Sequence, residues 1–230
     1  MKKLLLSILA IFLVIGLVGA GTFAWFQDTE TSTGNTFTAG TLDLWTRDGN
    51  EDWNADGVSQ TWSISGMKPG DVIGNGLIGL RAEGSISPNH LEITSDYSVT
   101  EEVPQTEADT DPNTDANPDS MAKEIIITQM HYYDDTWQVD LLTDDGYDSG
   151  YDVGLGETGP KVEDVDGDGK ISVYDLKFSQ SGNGVDDLTP PDGATWLDMT
   201  LKFDDDADSR FQGDTFNLTM TFTLNQDSSQ

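Results

Sequence analysis

The sequence predicts an all-β protein, a jelly-roll antiparallel β-sandwich in one domain, and three observations predict it. Apolar and polar residues alternate with period two through eight separate segments, with almost no helical periodicity between them. Of the 42 acidic side chains, 32 are Asp and 10 are Glu. An acidic helical protein would favour Glu, the better helix former, whereas Asp suits turns, caps and oxygen-ligand metal loops. Cysteine is absent, so no disulfide staples the fold, and 230 residues are enough to bury a core without one.

Taken in order, residues 1–24 stand apart. Lys2 and Lys3 precede an apolar run over 4–18, and small residues follow up to Ala24, the order of a secretory signal peptide. A permanent anchor is the rival reading, since residues 4–21 could nearly span a bilayer, but no basic stop-transfer cluster follows. Cleavage is expected after Ala24, with Ala20 as second choice, so the membrane is met only through this peptide before removal. The mature chain would keep 206 residues, with 9 basic and 42 acidic side chains. Residues 25–36 are mostly Thr, Ser, Gln and Asp with Trp25 and Phe26 at the tip, too polar to form their own core. The sandwich itself is expected over 37–230, with strands at 37–45, 58–64, 72–82, 91–99, 123–132, 136–142, 197–203 and 216–224. The clearest is the last, where Phe216, Leu218, Met220, Phe222 and Leu224 alternate with Asn and Thr, one face for a core and one for water. The two C-terminal strands read as a pair joined by an acidic turn. Two insertions interrupt the sheet. Residues 101–119 carry seven acids, three prolines and no aromatic residue, which predicts a solvated loop, and 144–188 is rich in Asp and Gly.

The net charge of −31 repels phosphate backbones and anionic headgroups, which disfavours nucleic acid and a polybasic membrane-surface role. Cations or basic surfaces are the expected company. Residues 164–175 supply a place for a cation. Numbered as a twelve-residue calcium loop, they put the carboxylates of Asp164, Asp166, Asp168 and Asp175 at positions 1, 3, 5 and 12. Gly169 falls at the sharp turn, the Lys170 carbonyl at position 7 and the Ser172 hydroxyl at position 9. Calcium takes about six to eight oxygens in flexible geometry, and alternate residues of a tight loop converge on one point as a strand cannot. Ile171 would pin the loop to apolar neighbours, with a short helix over 172–178. Asp rather than Glu at position 12 resembles dockerin calcium loops. An Asp/Gly turn held by Asx hydrogen bonds explains single turns but not the whole spacing. A weaker relative, Asp52, Asn54, Asp56 and Val58, lacks an acid at position 12, and reads equally as a hairpin loop.

Catalytic signals are thin. His90 and His131 lie in no His-Glu-x-x-His zinc helix, and there is no Gly-x-Ser-x-Gly elbow, phosphate loop or dinucleotide fingerprint. Carboxylate pairs are too many for a glycosidase dyad to be picked out. The chain therefore reads as no enzyme. Asn217 opens a glycosylation sequon on the polar face of the last strand.

The run Gly-Thr-Phe-Ala-Trp-Phe-Gln-Asp at 21–28 and Phe-Thr-Ala-Gly-Thr-Leu-Asp-Leu at 37–44 resembles the TasA/camelysin family of secreted fibre proteins, which have a SipW-type signal peptide. Trp62-Ser-Ile-Ser-Gly-Met-Lys-Pro-Gly-Asp71 is similar to that family's strand and Leu-Lys-Pro-Gly-Asp element. The strands flanking Phe211-Gln212-Gly213-Asp214 look like its closing hairpin. The matches cover about residues 15–81 and 195–226; the acidic loop and the calcium motif have no counterpart. The resemblance implies a jelly roll whose extended N-terminal segment adds a strand to the next subunit, as in TasA-like fibres and archaeal bundling pili. The donor strand would be Trp25, Phe26, Gln27, Asp28, Thr29, Glu30 and Thr31. The expected partners are then copies of the chain itself in a homopolymer, and a signal peptidase during export. Some camelysin-like relatives are classed as metalloproteases, but no zinc ligand set supports that here. The alternatives are such a secreted protease and a monomeric calcium-stabilised surface-binding domain.

Overall fold

Alternating β-branched, aromatic and leucine side chains bury one face of the longer strands, and two antiparallel sheets close over those faces. The computed structural model describes residues 27–29, 41–49, 51–55, 61–101, 116–142, 161–207, 209–211 and 213–227. The strands are β1 (Gln27–Thr29), β2 (Leu42–Asp48), β3 (Thr61–Ser65), β4 (Val72–Gly84), β5 (His90–Thr100), β6 (Ile125–Tyr133), β7 (Gln138–Asp140), β8 (Val185–Leu188), β9 (Thr195–Phe203) and β10 (Thr215–Asn225). Among the described residues two α-helices join them, α1 (Pro118–Ala122) and α2 (Val173–Gly182).

One sheet runs β2-β4-β9-β6-β7. In the other, β10 is flanked by β5, which continues to β8, while its opposite edge is shared by β3 and β1. β3 covers residues 215–219 of that edge and β1 covers 223–225. The buried layer is made by Leu44, Ile78, Leu80, Met130, Tyr132, Leu197 and Met199 from the first sheet. It meets Leu91, Ile93, Tyr97, Phe216, Leu218 and Leu224 from the second.

The all-β antiparallel sandwich expected from the sequence is the fold the chain adopts. Three local expectations change. The two C-terminal strands are not a closing hairpin: β9 pairs with β4 and β6, and β10 with β5, β3 and β1, so they lie in different sheets. The segment between them buries Asp204, Ala207, Phe211 and Asp214, which makes it an inter-sheet crossing rather than a solvated turn. β8, with sequence Val-Asp-Asp-Leu, falls inside the Asp/Gly-rich insertion, where only Val185 and Leu188 bury and no period-two run announces it. α1 begins at the end of the expected acidic loop, with Pro118 in its first turn, where a missing N–H costs nothing. Residues 1–26 and 30–40, with 102–115 of the expected acidic loop and 144–160 of the Asp/Gly-rich insertion, lie outside the described residues. Among the described residues no helix is long and apolar enough to cross a membrane.

Candidate metal centre

Residues 161–172 are tied down at both ends. Val162 donates its N–H to the Leu141 carbonyl at 2.8 Å and is buried. At the exit, Ile127 N–H donates to the Ile171 carbonyl at 2.8 Å, and Ser172 bridges to Ile126 of β6. Ile171 packs on the core as position 8 of the loop was expected to do.

Between these anchors the chain curls twice through left-handed glycines, Gly167 at φ 75° and Gly169 at φ 84°, which an L side chain rarely adopts. The turns fold N–H groups back onto Asp164: Gly167 N–H donates to Oδ1 at 2.8 Å and Gly169 N–H to Oδ2 at 2.9 Å. Lys170 N–H likewise donates to Asp168 Oδ1 at 2.8 Å. As a result Asp164, Asp166 and Asp168 each bring a carboxylate oxygen within 4.8 Å of the others. It is the one such group of three or more His, Asp or Glu among the described residues.

Asp175 does not join that group. It is fully buried, with Oδ1 accepting from Val165 N–H at 2.8 Å and Oδ2 from Ser172 N–H at 2.8 Å and Ser172 Oγ at 2.6 Å. Ser172 is the N-cap of α2 and Asp175 its N3 residue, so the two close a capping box that fuses loop and helix. α2 holds helical geometry to Phe178 and leaves it at Ser179, close to the short helix expected over 172–178.

Two lysines approach the loop from elsewhere. Lys123, the C-cap of α1, places Nζ 3.0 Å from Asp166 Oδ2 and 4.3 Å from the Tyr174 ring centroid. The hydrogen bond it donates to Asp166 holds the Lys123 ammonium above its ordinary value. Lys170 pairs through its side chain with Asp204, which raises Lys170 in the same way. Burial opposes ionisation of Asp204, but Lys170 and the Asp206 N–H outweigh it and its carboxyl is held low. Neither lysine contact has a local sequence signal, because both partners are distant along the chain.

Three carboxylates this close repel one another, and Lys123 supplies one compensating charge. Asp166 Oδ1 is buried with no hydrogen-bond partner. A hard divalent cation is the species that would neutralise the group with oxygen ligands alone. The residues present fit such an ion: carboxylates at 164, 166 and 168, with the Lys170 carbonyl in the same turn. Asp52 and Asn54 of the weaker motif are exposed, and Asn54 pairs through its backbone with Thr46 as the return of a hairpin. Asp56 and Val58 lie outside the described residues. Asn217 stands on the outward face of β10, between buried Phe216 and Leu218.

Of the expected donor segment, Gln27, Asp28 and Thr29 form β1 and pair with Asn225, Leu224 and Thr223 of the same chain. Trp25, Phe26, Glu30 and Thr31 lie outside the described residues. The two histidines sit on different sheets, His90 at the start of β5 and His131 within β6. His90 is buried and its Nε2 lies 3.0 Å from Asp186 Oδ1.

A family model described as Camelysin metallo-endopeptidase matches the chain over residues 1–230. No curated protein matches it.

Proposed function

The chain belongs to the camelysin family, and from that premise we propose that it is a secreted structural subunit of an extracellular filament or pilus, joined head to tail by strand exchange. In this reading residues 1–24 are removed by signal peptidase, 25–36 donate a strand and 37–230 form the sandwich. The observation that carries it is the edge of β10. Among the described residues β1 covers its end at 223–225, β3 covers its start at 215–219, and 220–222 pair with neither. An edge strand held to its sheet by backbone hydrogen bonds can be replaced by the same strand of another copy, because the hydrogen bonds are identical in either. Such a contact does not close on itself, so it propagates a filament. Electron microscopy of protein lacking residues 25–36 tests this: filaments are expected to vanish, and their persistence would sink strand exchange.

Calcium is proposed at Asp164, Asp166 and Asp168 with the Lys170 carbonyl, where it would rigidify the loop against β6. Its oxygen donors and the turn that converges them support calcium over a softer metal. Ser172 and Asp175, expected as further ligands, would act from behind by holding the loop closed.

The family's description favours a second reading, a metal-dependent endopeptidase. The only described cluster able to hold a metal contains no histidine, which argues for a structural ion rather than a zinc-activated water. Casein cleavage by the purified protein with added zinc or calcium separates the two; robust turnover would overturn the structural reading.

A further inference from the structure

The outward faces of the two sheets differ. On β10 and β5 it is Thr, Asn, Ser and acids, as water requires, whereas on β2, β4 and β9 it carries indoles and guanidinium groups. Arg47 lies between two indoles, its Cζ 4.5 Å from the Trp53 centroid and 4.2 Å from that of Trp196. Arg81 lies 4.7 Å from Trp53 and 5.3 Å from Trp45, which extends the alternation to five side chains. Two of the chain's three arginines and three of its six tryptophans are gathered here. Room for the stack comes from Gly79, paired with Arg47 and with Trp196, where a Cβ would come within 2.8 Å of Arg47 Cγ and 3.0 Å of Trp196.

Charged and polar groups around the stack differ in their partners. Trp45 Nε1 donates to Asp43 at 2.8 Å, and Arg81 Nε faces Glu83 Oε1 at 2.8 Å. Elsewhere Lys123, Lys170, Lys177, Lys202 and Arg210 each have a carboxylate partner. Arg47 pairs with no carboxylate among the described residues, and its Nε is buried without an acceptor. Unlike the exposed Lys68, which also lacks an ion-pair partner among the described residues, Arg47 is half-buried, and with 42 acids against 11 bases its lack of a described carboxylate partner stands out.

We propose that this face is a contact surface for a second copy of the chain, whose carboxylate docks on the Arg47 guanidinium. A second copy is the occupant because every copy presents a large excess of carboxylates and must overcome like-charge repulsion to associate. A planar guanidinium held between indoles offers a preorganised fork for a carboxylate in a locally dry setting. Trp and Arg together are the residue types that dominate binding hot spots. The contact uses the sheet opposite β10, so it is independent of strand exchange.

The test cross-links R47K protein with a carbodiimide, which joins an amine only to a carboxylate it touches, in an equal mixture of isotopically heavy and light full-length chains. Heavy-light peptides joining position 47 to an Asp or Glu are expected. Cross-links confined to one isotope, or none at position 47, would overturn the proposal. Sedimentation velocity supplies the second readout: self-association of R47Q should weaken by at least about tenfold relative to wild type. If R47Q fails to fold by circular dichroism, the R47K cross-link decides alone. Retention on an acidic polysaccharide that depends on Arg47, without self-association, would also overturn it.

Discussion

Asp175 is fully buried, and its one carboxyl group accepts three hydrogen bonds. Replacing it by Ala removes the capping box and leaves the Val165 and Ser172 N–H groups without acceptors, so D175A should lose about 2–4 kcal/mol in urea unfolding. S172A, which removes only the cap oxygen, should lose about 1 kcal/mol. Lys123 acts differently, because its ammonium competes with any cation for Asp166. K123Q should therefore bind calcium more tightly, by a factor of about 3 or more in titration calorimetry, since the site's negative charge rises by one. An unchanged affinity would place the ion away from Asp166. Position 12 of the loop was legible as an Asp; that its carboxylate caps a helix instead of joining the triad depends on the closing turn at Ser172, which spacing alone does not reveal.

Among elements, β10 shows most plainly how a period-two sequence becomes structure. Of its apolar residues Phe216, Leu218, Phe222 and Leu224 are buried and Met220 is half-buried against the core, as the alternation predicts, while Thr223 and Asn225 near its end are buried as well. Its partners are another matter. Antiparallel pairing with β5 runs the full length from Thr215 to Asn225, yet the opposite edge is divided between β3 and β1. Backbone hydrogen bonds carry no sequence label, which is why the joining of β9 and β10 reads as a hairpin in the sequence and proves to be a crossing between sheets. The stack beneath Gly79 gives this scale its own prediction. G79A inserts a methyl where Arg47 and Trp196 meet, and should cost about 1–3 kcal/mol in thermal or urea unfolding while leaving the far-UV spectrum unchanged.

At the scale of the whole molecule, stability should be flat around neutral pH and fall at both extremes. Lys177 hydrogen-bonds Asp96 and holds it low, and Asp204 is held low as well. Their contribution is present above about pH 4 and is lost as pH falls through the folded values. Tyr97, by burial and its hydrogen bond to Asp119, and Tyr132, by burial, are held high, as are Lys123 and Lys170. That contribution is full below about pH 10 and is lost as pH rises beyond it. Thermal denaturation across pH should show the plateau; a midpoint still rising from pH 8 to 11 would contradict it. Alternation, the Asp excess and the spacing of residues 164–175 determined by themselves that the chain is an antiparallel β-sandwich carrying an acidic loop, because burial of one strand face and convergence of alternate oxygens are local consequences of side-chain order. Only the tertiary structure decided which strands share a sheet, that Lys123 and Asp204 attend the loop, and that Arg47 lies between Trp53 and Trp196. Those contacts join residues far apart in the chain, and their energy arises only when two sheets are laid against each other.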